Sequence, residues 1–218
     1  MGERPVLYTC AGSRGLRCTW AAAEAGVDLD LKLLPFPPRF KAPDYLAINP
    51  LGTVPLLIDG EARMTESCAI AHYLGVRGGA DALVIAPQEP DYAAYLDYTY
   101  HADATLTFPQ TVYMRFALFE ADKGWGDAGA AYAKWFHKRL VKIEQRLETR
   151  DYLCAGRFTV ADICVGYALI LAAKVGLDEG VPERLKAYRA RLLERPGYRR
   201  AVEQEAAGEG ALRHVATA

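Results

Sequence analysis

The 218-residue sequence lacks most of what would direct it to a membrane, a nucleic acid or a metal. Acidic and basic side chains nearly cancel, 27 against 26, and no polybasic run marks a nucleic-acid or anionic-membrane footprint. No apolar run reaches the ~18 residues of a spanning helix. The opening MGERPVLYTC carries charge early and has no apolar segment behind it, which argues against a secretory signal and for a cytoplasmic protein. Five cysteines, Cys10, Cys18, Cys68, Cys154 and Cys164, form neither a C-x-x-C pair nor zinc-like spacing. That odd, scattered set reads as buried thiols in a reducing compartment. The partner left by these exclusions is a small molecule or another protein.

What is present has clear order. Residues 5–9 (PVLYT) read as a strand, CAGSRG as a turn, and 16–26 (LRCTWAAAEAG) as a helix ending at Gly26. Leu29, Leu31 and Leu33 then alternate with Asp28, Asp30 and Lys32, the period of a second strand. After the proline-rich PFPPRFKAP, DYLAIN suggests a short helix and VPLLID a strand closed by the hairpin signal Asp59-Gly60. EARM adds a strand, and TESCAIAHYL a helix with Thr65 as its expected N-cap. The order β-α-β-α-β-β-α over roughly 75 residues describes a small mixed sheet with helices against it.

Composition then changes. Glycines 75, 78 and 79 and prolines 87 and 90 mark a linker, beyond which almost no period-two pattern remains. DYAAYLDYTYHADATLTF is helix-like, Pro109 is expected to interrupt or kink it, and VYMRFALFEAD resumes it. AYAKWFHKRLVKIEQRLETR is amphipathic, with Trp135, Leu140, Ile143 and Leu147 at three- and four-residue steps. TVADICVGYALILAAKVG has Thr159 and Asp162 at capping-box spacing and is apolar almost all round, the pattern of a central buried helix. PERLKAYRARLLERPG reads as a further helix with Pro182 at its first turn. The expected fold is α/β plus all-α: domain 1–77, linker 78–90, helical domain 91–218.

Three short stretches carry chemistry. Ser13 stands between strand and helix, where unpaired N–H groups and the helix dipole favour an anion. Its hydroxyl can serve as an N-cap or donate a hydrogen bond to a bound thiolate. Glu66 and Ser67 open another helix, offering an acidic partner for an ammonium and N–H groups for a carboxylate. Between them lies an oddity, Pro55, directly before the apolar run LLI, where a strand would lose a donor. Backbone bonds, an acid and free N–H groups together suit a peptide-like ligand.

LYTCAGSRGLR, NPLGTVPLL, TESCAIAHYL and FTVADICVGYAL, in this order and at these separations, resemble the cytosolic glutathione transferases across essentially the whole length. The resemblance implies an N-terminal thioredoxin-like glutathione-binding domain, a C-terminal helical domain and a bacterial-like, serine-type member with Ser13 as the thiolate-stabilising hydroxyl. Tyr8, inside the strand, fits the tyrosine-type role less well. Pro55 looks like the family's cis-proline, an isomer that X-Pro bonds tolerate. It would turn Val54's backbone toward the cysteinyl part of glutathione, while Glu66 and Ser67 would hold the γ-glutamyl end. Gly52 stands where some serine-type members carry a histidine near the glycyl end, which leaves that contact with the backbone or with Lys41, and Arg39 competes with Lys41 because the PPRFKAP loop varies in length within the family. Arg17 is open between bracing the fold and touching ligand. A homodimer is implied, with Asp103 of one subunit approaching the γ-glutamyl amine in the other; no metal is expected, and His101 reads as structural.

For the second substrate, a small hydrophobic electrophile, Tyr113, Arg115, Phe116 and Phe119 are candidates on a helix expected to face the cleft, with helix packing as the competing explanation. The leading function is glutathione transfer, including ether cleavage, dehalogenation or isomerisation. The alternatives are a glutathione-dependent thiol-disulfide reductase using Cys10, and a noncatalytic glutathione-binding or regulatory protein on the same scaffold.

Overall fold

A computed structural model describes residues 3–216, with side chains for 3–209. By packing, the chain forms two units, one of residues 1–84 and 194–218, the other of 85–193.

The first unit is built on four strands, β1 (Val6–Thr9), β2 (Asp30–Leu33), β3 (Leu56–Asp59) and β4 (Ala62–Met64), in the order β2-β1-β3-β4. The connection from β1 to β2 runs through helix α1 (Leu16–Ala25), so those strands are parallel, Val6 opposite Asp30. β3 runs antiparallel to β1, with Leu7 opposite Leu57, and both leucines are fully buried. The Asp59-Gly60 signal does form the β3–β4 hairpin turn, with Gly60 at φ 57, a backbone conformation that favours glycine. Two four-residue helices, α2 (Pro38–Lys41) and α3 (Tyr45–Ile48), fill the link before β3.

Helix α4 (Ser67–Arg77) follows β4 and packs against α1. Thr65 does not cap it. The N-cap is Glu66, with no side-chain capping bond, because the helix begins one residue later than the threonine needs. Trp20, fully buried on α1, takes Tyr198 edge-on at 5.0 Å between ring centres, and so draws the last helix, α11 (Pro196–Ala216), onto this unit. Arg195 reinforces the contact with two bonds to Glu24, 2.8 and 2.9 Å. α11 also packs on β2, so residues 194–218, expected within the helical domain, group with the thioredoxin-like unit.

In the second unit, α5 (Tyr92–His101), the wide turns of residues 102–107, α6 (Phe108–Tyr113) and the wide turns of residues 114–119 follow without interruption. Pro109 therefore does not end the helix. The loosened turn before it accommodates the missing N–H, and Thr107 and Gln110 side chains donate to the carbonyls of Ala102 and Leu106 at 2.8 and 3.2 Å. The amphipathic stretch forms α7 (Gly126–Arg139) and α8 (Val141–Arg146), separated at Leu140. Leu140, Ile143 and Leu147 are buried as their spacing predicts, but Trp135 is 38% exposed and its neighbour Phe136 occupies the core. One residue is 100° of helix, enough to exchange the two aromatic side chains.

Helix α9 (Val160–Lys174) is the centre of this unit and carries both arms of the capping box. The buried Asp162 accepts from Thr159 N–H at 2.8 Å and Leu153 N–H at 2.9 Å, and from the Tyr188 hydroxyl of α10 (Glu183–Leu193) at 2.6 Å. A buried carboxylate is tolerated when donors meet it this fully. No helix among the described residues is long and apolar enough to cross a membrane.

Candidate functional site

The sheet register brings three sequence-distant segments to one end of the first unit. Tyr8 lies opposite Leu56, so the turn after β1 starts beside residues 54–55, just before β3. Leu57 lies opposite Met64, so the residues after β4, which open α4, emerge at the same end. Ser13, Val54, Pro55, Glu66 and Ser67 therefore cluster by topology.

The first segment is the turn from Cys10 to Gly15. Ser13 N–H closes it on the Cys10 carbonyl at 3.1 Å, and Gly12 stands at φ 66. Ser13 Oγ accepts Gly15 N–H at 3.3 Å and lies 3.1 Å from the Thr9 hydroxyl. The serine is thus tied to the helix start, as a cap would be, and is only half-buried. The Thr9 hydroxyl has one proton and two acceptors, Ser13 Oγ at 3.1 Å and the Cys10 carbonyl at 3.3 Å; turned to Ser13, it leaves the serine's own proton to point outward. Gly15 permits this approach, since a Cβ there would overlap the Thr9 hydroxyl and stand 2.6 Å from its Cβ. Thr9 was not anticipated, because a strand-end threonine has no distinguishing spacing.

The second segment contains the cis Val54–Pro55 bond. Pro55 precedes β3 and so removes no ladder donor from the strand, which resolves its awkward position. The loop ahead of it is braced at one carbonyl: Thr53 O accepts from Tyr45 Oη at 2.7 Å and Asn49 Nδ2 at 2.8 Å. Both donors are buried and neither was singled out from sequence. Gly52, at φ 59, has no room for a side chain, because its Cβ would stand 2.9 Å from Leu46 Cδ2 and 3.0 Å from Arg39 Cβ. Arg39 and Lys41 are both exposed on α2.

The third segment is the start of α4. Glu66 is exposed and Ser67 buried, and Ser67 Oγ accepts from Arg17 Nη1 at 2.9 Å. The fully buried Arg17 on α1 is therefore a brace to this helix start through a hydrogen bond. A buried guanidinium below the opening turn adds positive potential where α4 already presents its unpaired N–H groups, an arrangement suited to a carboxylate.

Cys10 is 1% exposed, and burial, with the nearby Glu205 carboxylate, pushes its thiol up to about 11. Such a group holds its proton at neutral pH, against the requirement of thiol–disulfide exchange for a thiolate. Burial also raises the Cys18 thiol. The five cysteines form no disulfide and all are buried, and no metal-binding cluster occurs among the described residues.

The remaining candidates lie in the second unit. Asp103 is half-buried in the widened turn after α5. Next to it, burial and the Lys142 charge lower His101 to about 4, so this histidine is neutral at physiological pH. Tyr113 ends α6, and Arg115, Phe116 and Phe119 follow in the second widened stretch. Arg115 Nε bonds Glu120 at 3.1 Å, its guanidinium lies 5.6 Å from the Phe116 ring centre, and Phe116 meets Trp125 edge-on at 5.2 Å. Phe119 is 60% exposed. This is an apolar, partly uncovered surface with a neutralised charge at its margin.

Residues 13–77 match the family described as glutathione S-transferase, N-terminal domain, and residues 130–191 match glutathione S-transferase, C-terminal domain. The chain is 29% identical over 204 residues to glutathione S-transferase 1 of Schizosaccharomyces pombe, covering 75% of this chain and 79% of that one. The ternary complex of BphK, a bacterial enzyme of this kind, superposes with a TM-score of 0.80 at 25% identity, over 92% of this chain and 99% of the other. A sphingomonad glutathione S-transferase complexed with glutathione gives 0.80 at 27%, over 92% and 98%.

Proposed function

The chain belongs to the cytosolic glutathione S-transferases, and from that premise we propose that it is a serine-type, bacterial-like member in which Ser13 stabilises the thiolate of reduced glutathione for transfer to a small apolar electrophile. The protein is a glutathione S-transferase, and glutathione is its co-substrate. The observation that carries the role of Ser13 is its half-buried hydroxyl, held by Gly15 N–H and Thr9 at the opening of α1.

The chemistry follows from the three segments. Val54, beside the cis bond, pairs its backbone with the cysteinyl residue; Glu66 meets the γ-glutamyl ammonium, and Ser67 with the α4 N–H groups meets its carboxylate. Lys41 or Arg39 reaches the glycyl carboxylate. The thiol is then held over the start of α1, where Ser13 donates to sulfur as the thiol proton passes to solvent water. Lowering a free thiol from ~8.5 by ~2 units requires ~2.7 kcal/mol of preferential stabilisation. One hydrogen bond to a charged group contributes ~1.5–3 kcal/mol, and the helix dipole adds ~0.3–1 kcal/mol. Serine keeps its own proton throughout, so no activating base is needed.

The thiolate attacks the electrophilic carbon, the carbon–sulfur bond forms, and the leaving group or the former π electrons accept the displaced pair. Tyr113, Arg115, Phe116 and Phe119 receive the apolar part of that substrate. The enzyme acts as a homodimer, with Asp103 reaching the γ-glutamyl amine of the partner's glutathione, in the reducing cytoplasm that five buried cysteines without a disulfide suit.

The test is Ser13→Ala. Titration of bound glutathione by thiolate ultraviolet absorbance should move upward by about 1–2 pH units, and kcat with an activated aryl halide should fall at least about tenfold. An unmoved titration in a folded variant removes Ser13 from the mechanism.

A further inference from the structure

One buried carboxylate in the first unit belongs to none of the three segments. Glu205, on α11, is 3% exposed, and its oxygens address two parts of the β1–α1 junction. Oε2 accepts Gly12 N–H at 2.7 Å, and Oε1 accepts the buried Thr19 hydroxyl at 2.9 Å. Burying a carboxylate is costly unless donors meet it, and these do. The contact spans 193 positions of sequence.

Gly12 immediately precedes Ser13 and has a left-handed backbone, which a glycine peptide can leave easily. Its N–H is held from outside the turn by the short bond to Glu205, while the turn itself is closed by the Ser13 N–H bond to Cys10. The packing of Tyr198 on Trp20 and the Arg195–Glu24 pair fix α11 along α1, so the carboxylate arrives at a set depth.

We propose that Glu205 is a positioning residue for thiolate stabilisation: it fixes the Gly12 peptide and thereby aims the Ser13 hydroxyl, a role that rests on the reading of Ser13 given above. Glu205 acts through Gly12 and need not touch glutathione. Burial keeps the neighbouring Cys10 protonated, and the Glu205 charge adds to that effect.

The experiment compares Glu205→Ala, Glu205→Gln, Thr19→Val and Ser13→Ala in the full chain, with reduced glutathione as ligand. Each is measured for the pH midpoint of bound thiolate, for kcat and KM with an activated aryl halide, and for thermal unfolding. Glu205→Ala should raise the midpoint and lower kcat about tenfold, with KM for glutathione changed less than about threefold. Glu205→Gln should recover most of the loss, because its amide oxygen can accept from Gly12 while its NH₂ donates to Thr19. Should the alanine variant not fold, Thr19→Val still removes one of the two anchors and should shift the midpoint in the same direction by less.

A wild-type midpoint and kcat in Glu205→Ala, or in Thr19→Val when only that variant folds, overturns the proposal. So does a loss of thermal stability with no movement of the midpoint, which marks a purely structural carboxylate. If Ser13→Ala moves the midpoint and the Glu205 variants do not, the positioning role alone fails. If Ser13→Ala itself leaves the midpoint in place, the reading of Ser13 fails and takes the positioning role with it.

Discussion

Cys10 offers a direct test of transfer against reduction, since both need a sulfur anion but from different molecules. Burial and the Glu205 charge raise its thiol from an ordinary 9.0 to about 11. At about pH 7.5 the anionic fraction therefore falls from roughly one in thirty to roughly one in three thousand, a hundredfold loss equivalent to ~2.7 kcal/mol. At 1% exposure, access slows reaction further. Alkylation of Cys10 by iodoacetamide, followed by mass spectrometry of the native protein, should run at least about a hundredfold slower than alkylation of free cysteine and accelerate only on unfolding. Cys10→Ser should leave glutathione transfer to an aryl halide within about twofold of wild type. Alkylation within about tenfold of the free-thiol rate would refute the burial argument. Glutathione-dependent disulfide reduction that disappears in Cys10→Ser would refute the functional conclusion drawn from it.

Two further outcomes concern stability. Asp162→Ala strands the Leu153 and Thr159 N–H groups and the Tyr188 hydroxyl in a dry interior and should cost about 3–5 kcal/mol in chemical denaturation, with Asp162→Asn losing clearly less. A loss below about 1 kcal/mol would show that water or repacking replaces those bonds. Asp59 is held below the usual carboxylate range chiefly by Arg77, with the Tyr73 hydroxyl at 2.8 Å adding to it. Its contribution is present above the unfolded value of about 4 and is lost as pH falls through the depressed folded value, so Asp59→Asn should flatten the acid limb of a plot of urea midpoint against pH. Parallel curves for the two proteins would remove that linkage.

Features written locally in the sequence were legible. The alternation at Leu29, Leu31 and Leu33 leads into β2, and the Thr159–Asp162 spacing produced a complete capping box, because both signals concern residues within one turn or one strand. Pro55 was conspicuous for the same reason. Thr65 misled because a cap depends on which residue first adopts helical geometry, and neighbouring polar residues compete for that place. Trp135 misled because adjacent aromatic residues leave the phase of an amphipathic helix open by one position. The wide turns around Pro109 have no periodic signature, since each adds residues to a turn without changing composition. Within the candidate site, Ser13, Ser67 and Glu66 stand in short motifs, whereas Thr9, Asn49 and Tyr45 act by bracing loops. Glu205 is least legible of all: its partners lie at the other end of the chain, and a glutamate in a polar helix looks like surface.

The first unit is written in two pieces of sequence with the entire second unit between them. Chains are made from the N-terminus, and domains generally fold as they emerge. Here the four strands and the turn bearing Ser13 leave the ribosome early, yet the helix that anchors Gly12 is translated only after the whole second unit. The first unit is therefore completed only after the second has been made, and a fragment ending at residue 84 would carry the serine on a turn whose anchor had not been made.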